Sequence, residues 1–310
     1  MFSPRLFLSV MVETQSELDS DELHFHPGGQ GFWIARALHQ LGEQPLLVTS
    51  LGGESGCVLR GLAPAWEVEM NVIEMASSSP VFLYDRRSGE RRLIAHANAG
   101  KRNRHEVDDL YGRVLDQAIG AGVCVVTGTW PVDHDQPDFF RRLGADLAST
   151  EVTVVGDLHG EELEAFLAGG PLHTLKVSDS DLVNDGLLSG DAGFEERLAV
   201  VDQLVDAGAE RVLLSSAERP TLARFGELRL MADPPLLQPA DPRGAGDAMT
   251  AALAAAVLRD LAPEEACQLA CAAGAANVTR RGLGNADARL IERLAGRVRV
   301  QRLTAARAIW

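Results

Sequence analysis

The sequence predicts an α/β fold, with a mainly parallel sheet covered by helices on both faces and a small β lid at one end. Three observations carry this expectation. Short apolar, β-branched runs alternate with longer helical stretches along the 310 residues, as they do when strands are buried on both faces and joined by crossover helices. One helical stretch, Ala248–Leu258, has almost no polar face and belongs at the centre. Two regions interrupt the alternation, and one of them, Pro80–Ala97, reads as a hairpin added to the α/β layers.

The elements follow in order. Leu6–Val12 reads as a strand, and Glu13–Pro27 as a polar, irregular stretch. Phe32–Leu41 is a helix stopped by Gly42. Pro45–Ser50 is a buried strand, and Val81–Tyr84 and Leu93–His96 are the arms of the hairpin, turning near Ser88-Gly89. Val123–Val126 and Val152–Val155 are short β-branched strands, with weaker ones at Leu175–Val177 and Val212–Leu214. Helices are expected near Val107–Ile119, Pro137–Ala148, Glu161–Ala168 and Glu195–Ala207. After the apolar helix, Pro263 followed by Glu264 and Glu265 opens another, with proline and acid in the first turn. Its row Ala266, Ala270, Ala273 and Asn277 is small enough for close helix packing or for a flat ring such as adenine, and packing is the commoner reason.

Charge narrows the partners. With 44 acidic and 29 basic residues the net charge is −15, which repels nucleic acid and anionic membranes. No nucleic-acid or membrane partner is expected, and no run approaches the ~20 apolar residues of a membrane span. The four cysteines, at 57, 124, 267 and 271, have neither disulfide nor zinc spacing. Met1–Val12 does not read as a secretory leader, so a reducing cytoplasm is expected.

The chemistry concentrates in "DPRGAGDAMTAALAAAVLRDL", from Asp241 to Leu261. The first amides of a helix lack intrahelical partners and carry partial positive charge. Glycine lets the backbone approach a ligand closely. Gly244, Ala245 and Gly246 before the apolar helix therefore form a candidate anion hole, suited to phosphate. Asp247 beside a bound phosphate could take the proton of an attacking hydroxyl. It could equally be a capping acid in the first turn, and the residues alone leave both open.

A second glycine cluster, "HPGGQGFWIARALHQLG", puts Gly28, Gly29 and Gly31 before the first helix. It fails the dinucleotide spacing because Ile34 stands where a third small residue is needed. No acidic residue ends a strand about 20 residues later either.

Together the two clusters resemble the PfkB, or ribokinase-like, carbohydrate kinase family. Its C-terminal signature D-T-x-G-A-G-D is matched by Asp241-Pro242-Arg243-Gly244-Ala245-Gly246-Asp247. Its N-terminal signature G-G-K-G-x-N-x-A is matched by Gly28-Gly29-Gln30-Gly31-Phe32-Trp33-Ile34-Ala35. "VVTGTWP" (125–131), "VVGDLHG" (154–160) and "LKVSDSDL" (175–182) are similar to further segments of the family, and the proline before the first glycines to its phosphosugar branch.

The resemblance covers most of the chain. It implies one ribokinase-like, doubly wound kinase domain over 1–310, with lid segments near 10–27 and 78–98 and possible pairing of two copies through the lid. It implies transfer of the γ-phosphate of ATP, with Mg²⁺, to a hydroxyl of a sugar or sugar phosphate. Asp247 would be the base and Gly244–Gly246 the anion hole. Glu13, Gly28, Gly29, Gln30, Gly31 and Trp33 would meet the substrate. Lys176, Ser178, Ser215 and Asn277 would meet ATP, and Asp157 and Asp181 the metal.

Departures from the pattern rewrite the sugar end and touch the nucleotide side, while the core of the phosphate end is retained. Trp33 replaces an asparagine, Gln30 a lysine, and Pro242 a threonine. Ser178 and Asp181 replace an asparagine and a glutamate, and "SSAERP" (215–220) lacks the family's nucleotide-loop glycines. An alternative expectation is therefore a kinase-like protein that binds sugar or nucleotide in a regulatory role. Outside the motifs, Arg86, Arg87, Arg91 and Arg92 read as a solvated hairpin or as a phosphate grip. His24 and His26 read as ordinary polar residues, and Trp130 as a core residue near the pocket edge.

Overall fold

The computed structural model describes residues 1–15, 20–128, 137–217, 219–235, 237–238, 241–279 and 287–303. The chain opens with β1 (Phe7–Gln15) and β2 (Ser20–Gly28), then runs through α1 (Gln30–Gln40), β3 (Leu46–Gly52), α2 (Gly53–Leu62), a 3-10 turn (Ala63–Trp66) and β4 (Glu69–Met75). A hairpin follows, β5 (Val81–Asp85) and β6 (Arg92–Ala97). Next come α3 (Arg104–Ala121), β7 (Val123–Thr127), α4 (Pro137–Ala148), β8 (Thr153–Asp157), α5 (Gly160–Gly169), β9 (Thr174–Ser178), α6 (Asp179–Asn184), α7 (Phe194–Asp206) and β10 (Arg211–Ser215). The last third is β11 (Thr221–Phe225), β12 (Leu228–Asp233), α8 (Ala245–Leu258), α9 (Pro263–Val278), α10 (Ala288–Ala295) and β13 (Arg299–Arg302).

The main sheet has the order β13-β12-β11-β10-β9-β8-β7. Strands β7 to β10 are parallel, and β11, β12 and β13 extend the edge antiparallel. The parallel pair β3–β4 continues the other side. The buried Phe2 joins them, bridging Val48 of β3 and Val126 of β7. Its amide donates to the Val125 carbonyl at 2.7 Å, and its carbonyl accepts from Thr127 at 3.1 Å. One face of the sheet packs on α1, α8, α9 and α10, and the other on α3, α4, α5 and α7. The apolar helix is central as expected: every residue from Ala248 to Ala256 is buried.

The lid is a separate four-stranded sheet, β2-β1-β5-β6. Here the structure corrects the reading of Glu13–Pro27 as irregular, because β1 pairs antiparallel with β2 from Phe7↔Gly28 to Gln15↔Ser20. The strand at Leu6–Val12 likewise lies in the lid and not in the main sheet. The reason is physical. Ser9, Glu13, His24 and His26 face a polar cleft, while Leu23 and Phe25 are exposed, so no apolar alternation marks a buried face. Strands β4, β11, β12 and β13 also went unanticipated. Among the described residues no helix is long and apolar enough to cross a membrane.

Candidate active site

The C-terminal ends of the strands and a helix start converge at one end of the sheet, the usual ligand side of an open α/β fold. Asp157 closes β8, Ser178 closes β9, Ser215 closes β10, and the 241–247 loop feeds α8. Gly244 is the residue before α8 and takes the left-handed conformation, φ 76°. That angle is strained for any residue with a Cβ. No side chain caps this helix, so its leading amides keep their hydrogen-bonding capacity.

Lys176, on β9, reaches the first turn of α8: a Cβ on Gly246 would lie 2.6 Å from its Nζ. Lys176 and Asp157 are both buried, and their charges sit 3.7 Å apart. That is looser than the ~2.7–2.9 Å of a charge-assisted hydrogen bond. The other Asp157 oxygen accepts from the Thr250 hydroxyl at 2.6 Å, and Thr250 also donates to the Gly246 carbonyl at 3.1 Å. Thr250 therefore ties the strand-end carboxylate to the first turn of α8. The sequence carried one signal for it, a hydroxyl three residues after Asp247 in an otherwise apolar helix.

Asp247 keeps part of its surface open. Its carboxyl is nonetheless pushed up to about 7, first by burial and then by the charge of Asp157, with Lys176 pulling down and Asp181 pushing up. Burial opposes the charge of Lys176, but Asp157, Asp181 and Asp247 outweigh it and raise its pKa. A carboxyl poised near neutrality beside uncapped amides and an ammonium suits proton transfer coupled to charge development.

The other residues expected to meet ATP or metal are placed as follows. Ser178 and Asp181 form a capping box on α6: Ser178 Oγ accepts from the Asp181 amide at 3.2 Å, and Asp181 Oδ2 accepts from the Ser178 amide at 3.0 Å. Ser215 Oγ donates to the Val177 carbonyl at 3.3 Å. Asn277 is fully buried, and its Nδ2 donates to the Arg243 carbonyl at 2.7 Å, so it braces the loop that leads into α8. Ala266, Ala270 and Ala273 are buried in the core shared with α8. Thr129, Trp130 and Pro131 lie outside the described residues.

A pocket of about 290 Å³ opens between lid and body. Its lining includes Glu13, Gly28, Trp33, Trp66, Arg86, Arg91 and Arg243. The four hairpin arginines divide. Arg87 and Arg92 bind Asp85 on the lid, and Arg87 also Asp21. Arg86 faces the pocket and pairs with Glu13 at 3.0 Å. Arg91 also faces it, with its guanidinium 3.5 Å from the centroid of the Tyr84 ring and a hydrogen bond to Ser9. Among the described residues Arg91 has no carboxylate partner. Burial, and then the neighbouring Arg243 and Arg86, lower its pKa against the opposing pull of Tyr84 and Asp241. Arg243 and Trp66 line this pocket without being singled out in the sequence, although Arg243 stands inside the quoted motif.

Trp33 contributes little surface, at 3% exposed; it packs edge-on against Phe32 and Trp66. Gly29 has φ 111°, and Gln30 begins α1 exposed to solvent. Gly31 meets the body of the protein: a Cβ there would lie 2.3 Å from that of the buried Ser3. Gly31→Ala is accordingly expected to lower stability by ~1–3 kcal/mol, as overpacking does. Urea unfolding measures this, and an unchanged midpoint would contradict the packing role.

Comparison with known proteins makes the chain a carbohydrate kinase. Residues 8–289 match the pfkB family carbohydrate kinases, and the chain belongs to that family. It is 26% identical over 263 residues to the ATP-dependent 6-phosphofructokinase isozyme 2 of Escherichia coli K12, covering 83% of each chain. It is 24% identical over 285 residues to the 1-phosphofructokinase of Bacillus subtilis 168, covering 90% of this chain and 89% of that one. Among solved structures, Escherichia coli phosphofructokinase-2 in complex with fructose-6-phosphate superposes with a TM-score of 0.79 at 24% identity. The match covers 95% of this chain and 98% of that one, and shows the shared fold.

Proposed function

We propose that this kinase moves the γ-phosphoryl group of ATP to a hydroxyl of a phosphorylated sugar. The observation that carries the reading is the convergence of Arg86, Arg91 and Arg243 on one pocket in a protein of net charge −15. Three guanidiniums against Glu13 and Asp241 leave Arg91 in surplus, and guanidinium forks match phosphate oxygens. The phosphofructokinases among its relatives agree with such an acceptor.

The acceptor hydroxyl gives its proton to the Asp247 carboxylate as its oxygen bonds to the γ-phosphorus. The bond to the bridging oxygen breaks, and ADP leaves. The amides of Ala245 and Gly246 and the Lys176 ammonium face the charge that develops on the transferred group, in a site where they are already in position.

The site also fits Mg²⁺. Asp157 and Asp181 add their charge to the burial that raises Asp247, and an oxygen-rich anionic set suits a hard cation. Among the described residues no three carboxylates, histidines or cysteines form a metal cage, so Asp157 and Asp181 would hold the ion through water and nucleotide phosphates. When bound, it neutralises charge on the β- and γ-phosphates. Exposed Leu23, Phe25, Leu93 and Ile94 on the lid edge strands support a homodimer through the lid.

An ADP-release assay over a panel of sugars and sugar phosphates tests the reading. Turnover with at least one phosphorylated sugar, above its unphosphorylated parent, is expected; a panel without turnover contradicts it. The pH profile is a second test. The base must be ionised and its carboxyl titrates at about 7, so kcat/KM is expected to fall tenfold per pH unit below ~7, as for one essential ionisation. A flat profile from pH 6 to 8 would remove Asp247 from that role.

A further inference from the structure

Arg243 is held in an unusual way for a residue in a phosphate loop. Its amide and Nε both donate to Asp241 Oδ1, at 3.1 and 2.9 Å, and its Nη2 donates to Oδ2. Asp241 is 7% exposed, so the carboxylate that orients the guanidinium is fixed in the body of the protein. The Arg243 carbonyl is held by the buried Asn277. Both main-chain ends of the residue are thus anchored, and Nη1 is the guanidinium nitrogen left without a hydrogen-bond partner among the described residues. The side chain lines the acceptor pocket beside Arg86 and Arg91. The next residue is Gly244, where the anion hole begins.

We propose that Arg243 is a specificity residue that binds the acceptor's anionic group through Nη1 and, being continuous with the anion hole, sets the acceptor's distance from Asp247. The inference rests on the reading of the acceptor as a phosphorylated sugar. The charges that face Arg243 are those of Asp241, Glu13, Arg86 and Arg91, with His26 and Tyr84 close by. Asp241 neutralises Arg243, so the surplus positive charge in the pocket belongs to Arg91. The two arginines therefore divide the work. Arg91 supplies attraction, which is the same in ground and transition states. Arg243 supplies attraction and register, because any movement of its guanidinium is transmitted through Asp241 and the loop to the residues that touch the transferred phosphoryl group. Losing uniform binding raises KM, whereas losing register lowers kcat.

The test compares wild type, Arg91→Met, Arg243→Met and Arg243→Lys, using fructose 6-phosphate, fructose and inorganic phosphate as probes. Calorimetry gives the ratio of fructose 6-phosphate to fructose affinity, and steady-state kinetics gives kcat and KM. Arg243→Met is expected to shrink the affinity ratio about 10- to 100-fold, as loss of a charge-assisted hydrogen bond does, and to lower kcat. Arg243→Lys is expected to recover affinity in part but not kcat, since an ammonium cannot reproduce the two-pronged contact with Asp241. Arg91→Met is expected to raise KM with kcat retained. An unchanged affinity ratio in folded Arg243→Met overturns the inference. So does a wild type that binds neither fructose 6-phosphate nor inorganic phosphate. A wild type that binds fructose 6-phosphate but turns over no acceptor overturns the proposed function alone, and the affinity ratio still decides on Arg243.

Discussion

Asp247→Asn is expected to lower kcat by about 10²–10⁴-fold, the contribution of a positioned general base, while nucleotide still binds. Asparagine keeps the shape of the side chain and its place in the first turn of α8 but cannot accept the acceptor's proton. The same substitution should not destabilise the protein. In the unfolded chain this carboxyl ionises near 3.8, and in the folded protein near 7. Its stability contribution is fully present below about 3.8 and is lost as pH rises through 7. At pH 8 the ionised Asp247 is a burden that the folded state carries beside Asp157 and Asp181. Asp247→Asn removes that burden, so its thermal midpoint at pH 8 is expected to equal or exceed that of wild type. Loss of activity with retained or higher stability is the pattern of a functional carboxylate. A variant that loses both would point to a structural acid. Paired kcat and thermal-unfolding measurements separate the two.

Lys176→Met carries the next largest effect. Its ammonium sits against Gly246, within 3.7 Å of Asp157, and is the cation that restrains the rise of the Asp247 carboxyl. Removing one such preorganised donor is expected to lower kcat by about 10²–10³-fold. It also removes the one influence pulling Asp247 down, so the acid limb of kcat/KM should move to higher pH than in wild type. The second readout is decisive, because a lysine that only steadied Asp157 would cost stability without moving the limb in that direction. Measuring kcat/KM from pH 6 to 9 in both proteins checks it, and an acid limb that stays in place would exclude the electrostatic coupling.

The legible parts of the fold are those where local pattern and burial agree. The spacing around Pro137–Ala148 defines α4 to the residue, and the β-branched runs at 123 and 152 are the strands β7 and β8, buried on both faces. The motif 241–247 marks the start of the central helix α8, because glycine spacing encodes backbone geometry directly. The lid and the antiparallel edge were harder to read. Strand β2 turns His24 and His26 toward a cleft and Leu23 and Phe25 toward solvent, which inverts the usual inside-apolar rule. Strands β11 and β12 are joined by Gly226-Glu227, and Arg224 and Arg229 both reach Asp202. Charged residues therefore sit within strands, where a sequence window sees a loop.

Side-chain partners were less legible still. Nothing in "DPRGAGD" announces that Asp241 grips Arg243 or that Arg243 lines the pocket between lid and body. Nothing in the hairpin separates Arg86 and Arg91 from Arg87 and Arg92. Those distinctions arise from which lid strands pair, and pairing is a long-range property of the chain.

The most direct measurement is ³¹P NMR of the wild-type enzyme and Asp247→Asn incubated with ATP, Mg²⁺ and the sugar phosphate that releases most ADP. Wild type is expected to convert the γ-phosphate signal into a new sugar phosphomonoester, one for each ADP formed, and Asp247→Asn to form almost none under the same conditions. Release of inorganic phosphate in place of the ester, or ester formation undiminished in Asp247→Asn, would contradict this expectation.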